Sequence, residues 1–290
     1  MKKFFTLTLS ALLVLSLLAG CGGGSDTTTT SDTTADDGDA ATTETTTTLK
    51  VGASITPHAE ILEQCKPILA EQGIDLEIVE YTDYVQPNTA VEEGDLDANY
   101  FQHVNYLNWF NEDYGTHLVA ACTVHYEPFG IYAGKVSSLD ELKDGDEIIV
   151  PNDGSNETRA LLLLQQEGII TLKDGITAAS NATVQDIASY NVGVTIREME
   201  AAQLTLSLQD VALAVINGNY ALQGGLNAAT DALAIEDSQG DAAQEYANVL
   251  AVKEGNENNE AIQALVEALH SDTVRDYINN TYSGAVVPLF

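Results

Sequence analysis

Basic residues are scarce in this chain of 290 residues, which has 11 Lys and Arg against 44 Asp and Glu and a formal net charge of −33. Two basic and six acidic residues lie before residue 49, so residues 49–290 keep nine basic and 38 acidic residues and a net charge of −29. A field of this sign repels phosphate backbones, which argues against nucleic-acid binding. A strongly acidic surface otherwise bears on solubility and not on fold.

Cysteine is also rare, with three residues, Cys21, Cys65 and Cys122. Spacing alone does not place the last two within bridging distance of each other. Cys65 falls on a predicted helix and Cys122 on a predicted strand, both among apolar residues, so we expect buried free thiols. There is no repeat with a period of 20–50 residues, which argues against a solenoid architecture.

Signatures of catalysis are missing as well. Ser155 lies in DGSNE, which lacks the second glycine of a nucleophile elbow. The stretch GKVSS at 134–138 lacks the glycine pattern of a phosphate-binding loop, and carboxylates are too evenly spread for any pair to stand out. We therefore expect no enzyme activity and no cofactor.

A local metal-binding motif is not present either. His58, His103, His117 and His125 are separated by 45, 14 and 8 residues, which matches no local ligand spacing. Metal ligands would have to come together from distant loops. A metal-binding lipoprotein therefore stays open as an alternative, and we assign no residue to a metal.

The first 21 residues carry an export signal. Lys2 and Lys3 precede a mostly apolar run at 4–19 that is short for a membrane span and typical of a secretory signal. The run ends in LLAGC, which resembles the lipobox of bacterial lipoproteins. The expectation is a signal peptide at 1–20 and a lipid-modified Cys21, with the protein held at the extracytoplasmic face of the cell membrane.

Residues 21–48 are predicted to be a disordered tether. Residues 22–48 contain twelve threonines, six acidic residues and no apolar side chain larger than alanine. Such a segment buries too little surface to offset its ordering entropy. Folding should begin near Leu49.

The remaining 242 residues alternate apolar runs with helical patterns, which predicts α/β architecture with largely parallel sheets. Helices are predicted at 58–73, where Pro67 is an obstacle, and at 157–168 and 259–270. About ten strands exceed what one open sheet of this length normally uses, so we expect two lobes. The predicted strands span 49–54, 76–81, 96–101, 117–124, 129–133, 147–151, 193–198, 211–216, 232–236 and 248–252.

Two stretches favour a small-molecule site. In PNDGSNETRALLLLQQEG (151–168), Asp153 or Ser155 can cap a helix whose N-terminus suits an anion, and Arg159 lies one turn in. Arg159 could grip a carboxylate in a bidentate fork, or it could pair with one of the many acidic residues of the chain. In VINGNYA (215–221), asparagines follow a strand at the end where α/β sheets bind ligands, although the same residues also favour turns.

Longer stretches carry a resemblance to a known family. They are PHAEIL (57–62), EQGIDLEIVEYTDYVQPNTA (71–90), LDANYFQHVNYL (96–107), VHYEPFGIY (124–132), PNDGSNETRALLLLQQEG (151–168), LKDG (172–175), EAAQL (200–204), AVINGNYAL (214–222) and GAVVP (284–288). The chain resembles the NlpA/MetQ family of methionine-binding lipoproteins, the substrate-binding proteins of ABC transporters. The resemblance runs from about residue 49 to the C-terminus.

The resemblance implies a two-lobed α/β fold of the periplasmic-binding-protein-like type II, each lobe a mostly parallel sheet flanked by helices. Lobe one would comprise 49–128 and 226–290, and lobe two 129–225. The cleft would hold L-methionine for a membrane permease driven by a cytoplasmic ATPase. The side-chain pocket is carried over to Tyr84, Phe101, His103 and Tyr126, and the contacts to the amino-acid backbone to Asn156, Arg159 and Asn217.

Two departures from the family pattern bear on specificity. Ile55 stands near a position where the family usually has proline, and the segment 236–247 is longer than usual before its strand. Neither departure touches the carried residues. A methionine-containing dipeptide or a methionine derivative therefore remains an alternative ligand, and a surface adhesion role without a transport partner is a third possibility.

Overall fold

The computed structural model describes residues 46–236 and 242–290, so the predicted signal peptide and Cys21 lie outside the described residues. The strands are β1 (Thr47–Ser54), β2 (Ile74–Tyr81), β3 (Ala98–His103), β4 (Leu118–Tyr126), β5 (Gly130–Ala133), β6 (Glu147–Pro151), β7 (Ile170–Leu172), β8 (Ile187–Tyr190), β9 (Thr195–Met199), β10 (Leu213–Ile216), β11 (Ala232–Ile235), β12 (Ala247–Lys253) and β13 (Val287–Pro288). The helices are α1 (Glu60–Ala70), α2 (Gln86–Glu93), α3 (Val104–Tyr114), α4 (Gly154–Gln166), α5 (Ala201–Ser207), α6 (Gly218–Gln223), α7 (Ala228–Asp231), α8 (Ala242–Glu245), α9 (Glu260–Leu269) and α10 (Asp272–Thr281). Within the described residues, no helix is both long enough and apolar enough to span a membrane.

These strands form two main sheets, one in each lobe. The first sheet has the order β13-β4-β12-β3-β1-β2, and the second has the order β11-β5-β10-β6-β9, while β7 and β8 form a separate ribbon. In the first sheet β12 and β13 run against the other four strands, and in the second sheet β5 runs against the other four. Most strands of each sheet are therefore parallel, as βαβ connections require.

The chain passes between the sheets twice, after β4 and after β11. The first passage, between Tyr126 and Gly130, falls at the predicted start of lobe two. The second falls after Ile235, because β11 pairs with β5 of the second sheet, whereas the resemblance implies a boundary at residue 226. Each sheet packs on its own buried cluster, one built around Leu62 and Leu265 and the other around Leu161 and Ile148.

All ten predicted strands are present, with bounds within two residues of the prediction. β1 begins at Thr47, two residues before the expected start of the fold. The three further strands, β7, β8 and β13, have two to four residues each.

Helix α1 forms in spite of Pro67. This proline is exposed on the water-facing side of the helix, whereas Leu62, Cys65 and Leu69 are buried. The carbonyl of Glu63, which loses its usual helical donor, belongs to an exposed residue, so water can satisfy it. Cys65 and Cys122 are free thiols, as expected, and Cys122 is only half-buried.

The two lobes touch across the cleft. Trp109 of α3 lies against Gly154 of α4, where an added Cβ would be 2.7 Å from the indole Nε1. The hydroxyl of Tyr220 donates to the carbonyl of Thr82 at 3.1 Å. Trp109 is only partly buried, and besides the opposite lobe it contacts the rings of Tyr106 and Phe110 in an aromatic core cluster.

Candidate functional site

A cavity lies between the two lobes, with about 320 Å³ of space free of protein atoms that is partly open to solvent. Six of the seven predicted ligand-binding residues line it, and Tyr126 does not. The lining residues are Tyr84, Phe101, Gln102, His103, Tyr106, Glu127, Asn156, Arg159, Asn217, Gly218, Asn219 and Asn248.

One wall of the cavity is aromatic. The ring of Tyr84 lies 5.6 Å from that of Phe101 and 5.0 Å from that of Tyr220, measured between centroids. Tyr106 closes the group at 6.0 Å from Phe101, and its hydroxyl donates to the carbonyl of Tyr84. Tyr106 falls at helical spacing with Phe110, which predicts core packing, and it is buried in the same core cluster; its ring also lines the cavity.

The opposite wall contains a relay of hydrogen bonds that begins at Asp153. This carboxylate caps α4 and accepts both from the backbone N–H of Asn156 and from its Nδ2. Because Nδ2 of Asn156 faces a carboxylate, its Oδ1 must face the other way, where it accepts from His103 Nε2 at 3.0 Å and from Asn217 Nδ2 at 2.8 Å. His103 therefore carries its proton on Nε2, and its Nδ1 accepts from the backbone N–H of Tyr106.

The relay leaves two buried amide atoms on the cavity wall without partners among the described residues. Nδ2 of Asn217 is used on Asn156, so Asn217 Oδ1 is an unpaired acceptor. Tyr84 donates its hydroxyl to Asn219 Oδ1 at 2.5 Å, so Asn219 Nδ2 is an unpaired donor. Buried polar atoms are rarely left unpaired, since each costs about 1–3 kcal/mol. One acceptor and one donor are therefore available to a ligand.

Arg159 is buried between the cavity and Glu236. Its Nε donates to Glu236 Oε2 at 2.8 Å, and its Nη2 donates to Glu236 Oε1 and to the backbone oxygen of Glu127. Burial opposes the charge of the guanidinium, but the adjacent Glu236 carboxylate outweighs this effect and raises the pKa of Arg159. The bidentate fork expected for a ligand is thus occupied by Glu236, while Nη1 bonds neither Glu236 nor the backbone oxygen of Glu127.

Tyr126 lies behind Arg159 and not on the cavity wall. Its ring is buried, and its hydroxyl donates to Glu236 Oε1 at 2.5 Å. The guanidinium carbon of Arg159 is 5.9 Å from the centre of this ring. The resemblance placed Tyr126 in the side-chain pocket, whereas in this structure its hydroxyl donates a hydrogen bond to Glu236 of the ion pair.

Below the cavity, Glu127 joins two buried histidines. His125 Nε2 donates to Glu127 Oε1 at 2.8 Å, and His58 Nε2 lies 3.4 Å from the same oxygen and 3.0 Å from Asn248 Oδ1. Nδ1 of His58 is hydrogen-bonded to the hydroxyl of Ser54, and Nδ1 of His125 to the hydroxyl of Tyr100. Potential ligand atoms of His58, His125 and Glu127 all lie within 4.8 Å of one another, but each ring nitrogen already has a protein partner.

Sequence reasoning missed Glu127, Asn219 and Gly218 as members of the site, although all three lie in the quoted motifs VHYEPFGIY and VINGNYA. A Cβ on Gly218 would be 2.6 Å from Glu127 Oε2, so this close approach requires glycine. The backbone N–H of Asn219 also binds the Glu127 carboxylate. The glycine between two asparagines was the available signal for a close contact.

The buried histidines should make stability depend on pH. Burial lowers the pKa of His58 to about 4 and that of His125 to about 3, and burial together with repulsion from Arg159 lowers that of His103 to about 3. In the unfolded chain all three titrate near 6.5, so between about pH 4 and 6 unfolding takes up protons. These histidines therefore contribute a loss of stability as the pH falls through this window.

The contribution of one histidine can be measured by difference. Relative to the ligand-free wild type, His103→Gln should reduce the slope of unfolding free energy against pH near pH 5 by about one proton, or about 1.4 kcal/mol per pH unit. Urea denaturation from pH 7 to 4.5 measures both slopes. Buried carboxyls of raised pKa, such as Glu157 at about 8, act in the opposite direction but are common to both proteins. Equal slopes would contradict a neutral buried His103.

Comparison with known proteins identifies the family of this chain. The family described as NlpA lipoprotein matches residues 49–290. The D-methionine-binding lipoprotein MetQ of Escherichia coli K12 is 40% identical over 242 residues, covering 82% of this chain and 87% of that protein.

Two solved structures are similar to this chain. A lipoprotein from Ruminococcus gnavus is 59% identical with a TM-score of 0.82, covering 84% of this chain and 99% of that one. A nutrient-binding protein from Burkholderia cenocepacia, bound to methionine, is 41% identical with a TM-score of 0.80, covering 83% of this chain and all of that one. The family match spans the whole body of the protein, and the chain therefore belongs to the NlpA lipoprotein family.

Proposed function

We propose that this protein captures L-methionine in the cavity between its lobes and delivers it to an ABC permease driven by a cytoplasmic ATPase. The observation that carries the proposal is that one cavity combines an aromatic wall with an unpaired hydrogen-bond acceptor and an unpaired hydrogen-bond donor. Asn217 Oδ1 suits an α-ammonium group, while Asn219 Nδ2 and Arg159 Nη1 suit an α-carboxylate. The names of relatives, a D-methionine-binding lipoprotein and a protein bound to methionine, support the same ligand.

The aromatic wall fits the side chain of methionine. Phe101, Tyr84 and Tyr106 surround the apolar end of the cavity. A sulfur at the edge of an aromatic ring gains about 0.3–1.5 kcal/mol beyond the burial of apolar area. No group with the geometry of a nucleophile and its base lines the cavity within the described residues, so the proposed role is binding and not catalysis.

A methionine-containing dipeptide or a methionine derivative is the second candidate, supported by a neighbouring cavity. This space of about 690 Å³ shares Tyr84 and Tyr106 with the first cavity. Its other walls carry acidic side chains, including Asp83, Asp153 and Glu200. An amine added to methionine through a peptide bond would meet opposite charge there.

The soluble body, residues 46–290, can be purified with the ligand that it carries, and mass spectrometry then identifies this ligand. Calorimetric titration with L-methionine, D-methionine and glycyl-methionine then ranks them. Tightest binding of L-methionine supports the proposal, and tightest binding of the dipeptide supports the second candidate. Absence of binding for all three would contradict both.

The anchor and the transport partner are also proposals. We infer from LLAGC that Cys21 is lipid-modified and holds the body at the extracytoplasmic face of the membrane, within reach of a permease. Cys21→Ala should abolish lipid labelling and either release the protein or leave it uncleaved. Detergent-phase partitioning of both proteins measures this, and unchanged partitioning would contradict the anchor.

A further inference from the structure

The buried ion pair of Arg159 involves an acidic residue that no motif pointed to. Glu236 directly follows β11, where the chain leaves the second sheet, and only 7% of its surface is exposed. A buried carboxylate in contact with a guanidinium of the proposed ligand site needs a physical explanation, because charges are seldom buried without a partner or a task.

Four donors hold the Glu236 carboxylate in place. Arg159 supplies two of them, Nε and Nη2. The hydroxyl of Tyr126 and the backbone N–H of Phe129 bind Oε1 at 2.5 and 3.1 Å, and the backbone N–H of Glu236 donates to the carbonyl of Phe129. Glu236 lies in the second passage of the chain between the lobes, and Tyr126 and Phe129 lie in the first. The carboxylate therefore joins the two passages.

This arrangement occupies two of the three guanidinium nitrogens. Glu236 takes the Nε–Nη2 edge, and the second N–H of Nη2 is used by the backbone oxygen of Glu127. The rings of Tyr246 and Phe129 lie 4.1 and 4.8 Å from the guanidinium carbon and restrict its plane. Of the three guanidinium nitrogens, Nη1 is the one that bonds neither Glu236 nor the backbone oxygen of Glu127, and Arg159 lines the cavity.

We infer that Glu236 is a positioning residue for ligand binding: it orients Arg159 so that Nη1 alone faces the α-carboxylate of the ligand. The inference rests on the proposed function for the identity of that ligand. A guanidinium held in its binding orientation loses less conformational freedom when the ligand arrives, which favours binding. The pair also neutralises the charge of Arg159, which suits a zwitterion better than a bare carboxylate.

Glu236→Gln tests the role with almost no change of shape. An amide has one acceptor atom and one donor group, so either Nε or Nη2 of Arg159 loses its acceptor. We expect methionine affinity to fall roughly fivefold, as for the net loss of one hydrogen bond. Glu245→Gln is the matched control, because Glu245 is exposed next to Tyr246, and it should leave the affinity unchanged.

A double-mutant cycle separates positioning from general damage. If Glu236 acts through Arg159, Glu236→Gln should cost little further affinity in an Arg159→Ala background. Unchanged or tighter binding by the single Glu236→Gln variant would overturn the inference, as would an equal loss in both backgrounds.

A measurement without ligand keeps the inference distinct from the proposed function. The chain has only three arginines, Arg159, Arg197 and Arg275, so selective ¹⁵N labelling gives three Nε–H resonances that Arg→Ala variants assign. In the wild type, the Arg159 Nε–H should exchange slowly with water, and Glu236→Gln should accelerate that exchange. Rapid exchange in the wild type would overturn the positioning role. Slow exchange without methionine binding would instead contradict the proposed function alone.

Discussion

Replacing Arg159 with alanine is expected to weaken methionine binding by about 2–5 kcal/mol, or from about thirty-fold to several-thousand-fold. Arg159 is buried and lines the cavity, so its removal takes away the only guanidinium among the lining residues. It also leaves Glu236 as a buried carboxylate without its cation. Calorimetric titration of the soluble body measures the loss.

Two controls make this result interpretable. Arg197→Ala removes the other arginine of the second lobe, which pairs with Glu147 at the surface and lines none of the described cavities, so affinity should be unchanged. Arg159→Lys should recover only part of the binding, because one ammonium group cannot serve Glu236 and a ligand as a planar fork does. Thermal unfolding of each variant confirms that the protein is folded. Wild-type affinity in Arg159→Ala would mean that the arginine only pairs with Glu236.

Phe101→Ala is expected to weaken methionine binding by at least an order of magnitude while the fold survives. Phe101 is buried at the cavity between Tyr84 and Tyr106, so truncation removes the ring that the methionine side chain would contact. The variant loses the sulfur–aromatic contact and the buried apolar area, and it leaves a void beside the ligand. Titration with methionine measures the effect.

The dependence on ligand side chain tests whether Phe101 is specific. Alanine or glycine, if they bind, should be affected much less by Phe101→Ala, since their side chains do not reach the ring. Methionine sulfoxide should bind the wild type poorly, because its oxygen would enter an apolar wall. Tyr114→Ala is the control: this ring belongs to the same aromatic group but is half-exposed outside the first cavity. If Phe101→Ala weakened the binding of every ligand equally, these rings would support the fold and would not form the pocket for the ligand side chain.

Local signals in the sequence were sufficient for ten of the strands and for the helix that presents Arg159. The ten predicted strands follow from short apolar runs, a pattern that depends only on neighbouring residues. Asp153 caps α4 as expected, because a capping side chain reaches a backbone N–H only three residues away. The family resemblance, and not a local signal, supplied the six named residues that line the cavity.

The partners of those residues were decided by the tertiary structure alone. Arg159 meets Glu236 across 77 residues, and Asn217 meets Asn156 across 61, so no spacing rule could pair them. His58 and His125 converge on Glu127 because β1 and β4 end at the same side of one sheet. Tyr126 likewise turned towards the ion pair and not towards the cavity. The composition and the periodicity of this chain determined which elements form, whereas the choice of partner for each buried polar atom depended on how two lobes and their two connecting passages come together in space.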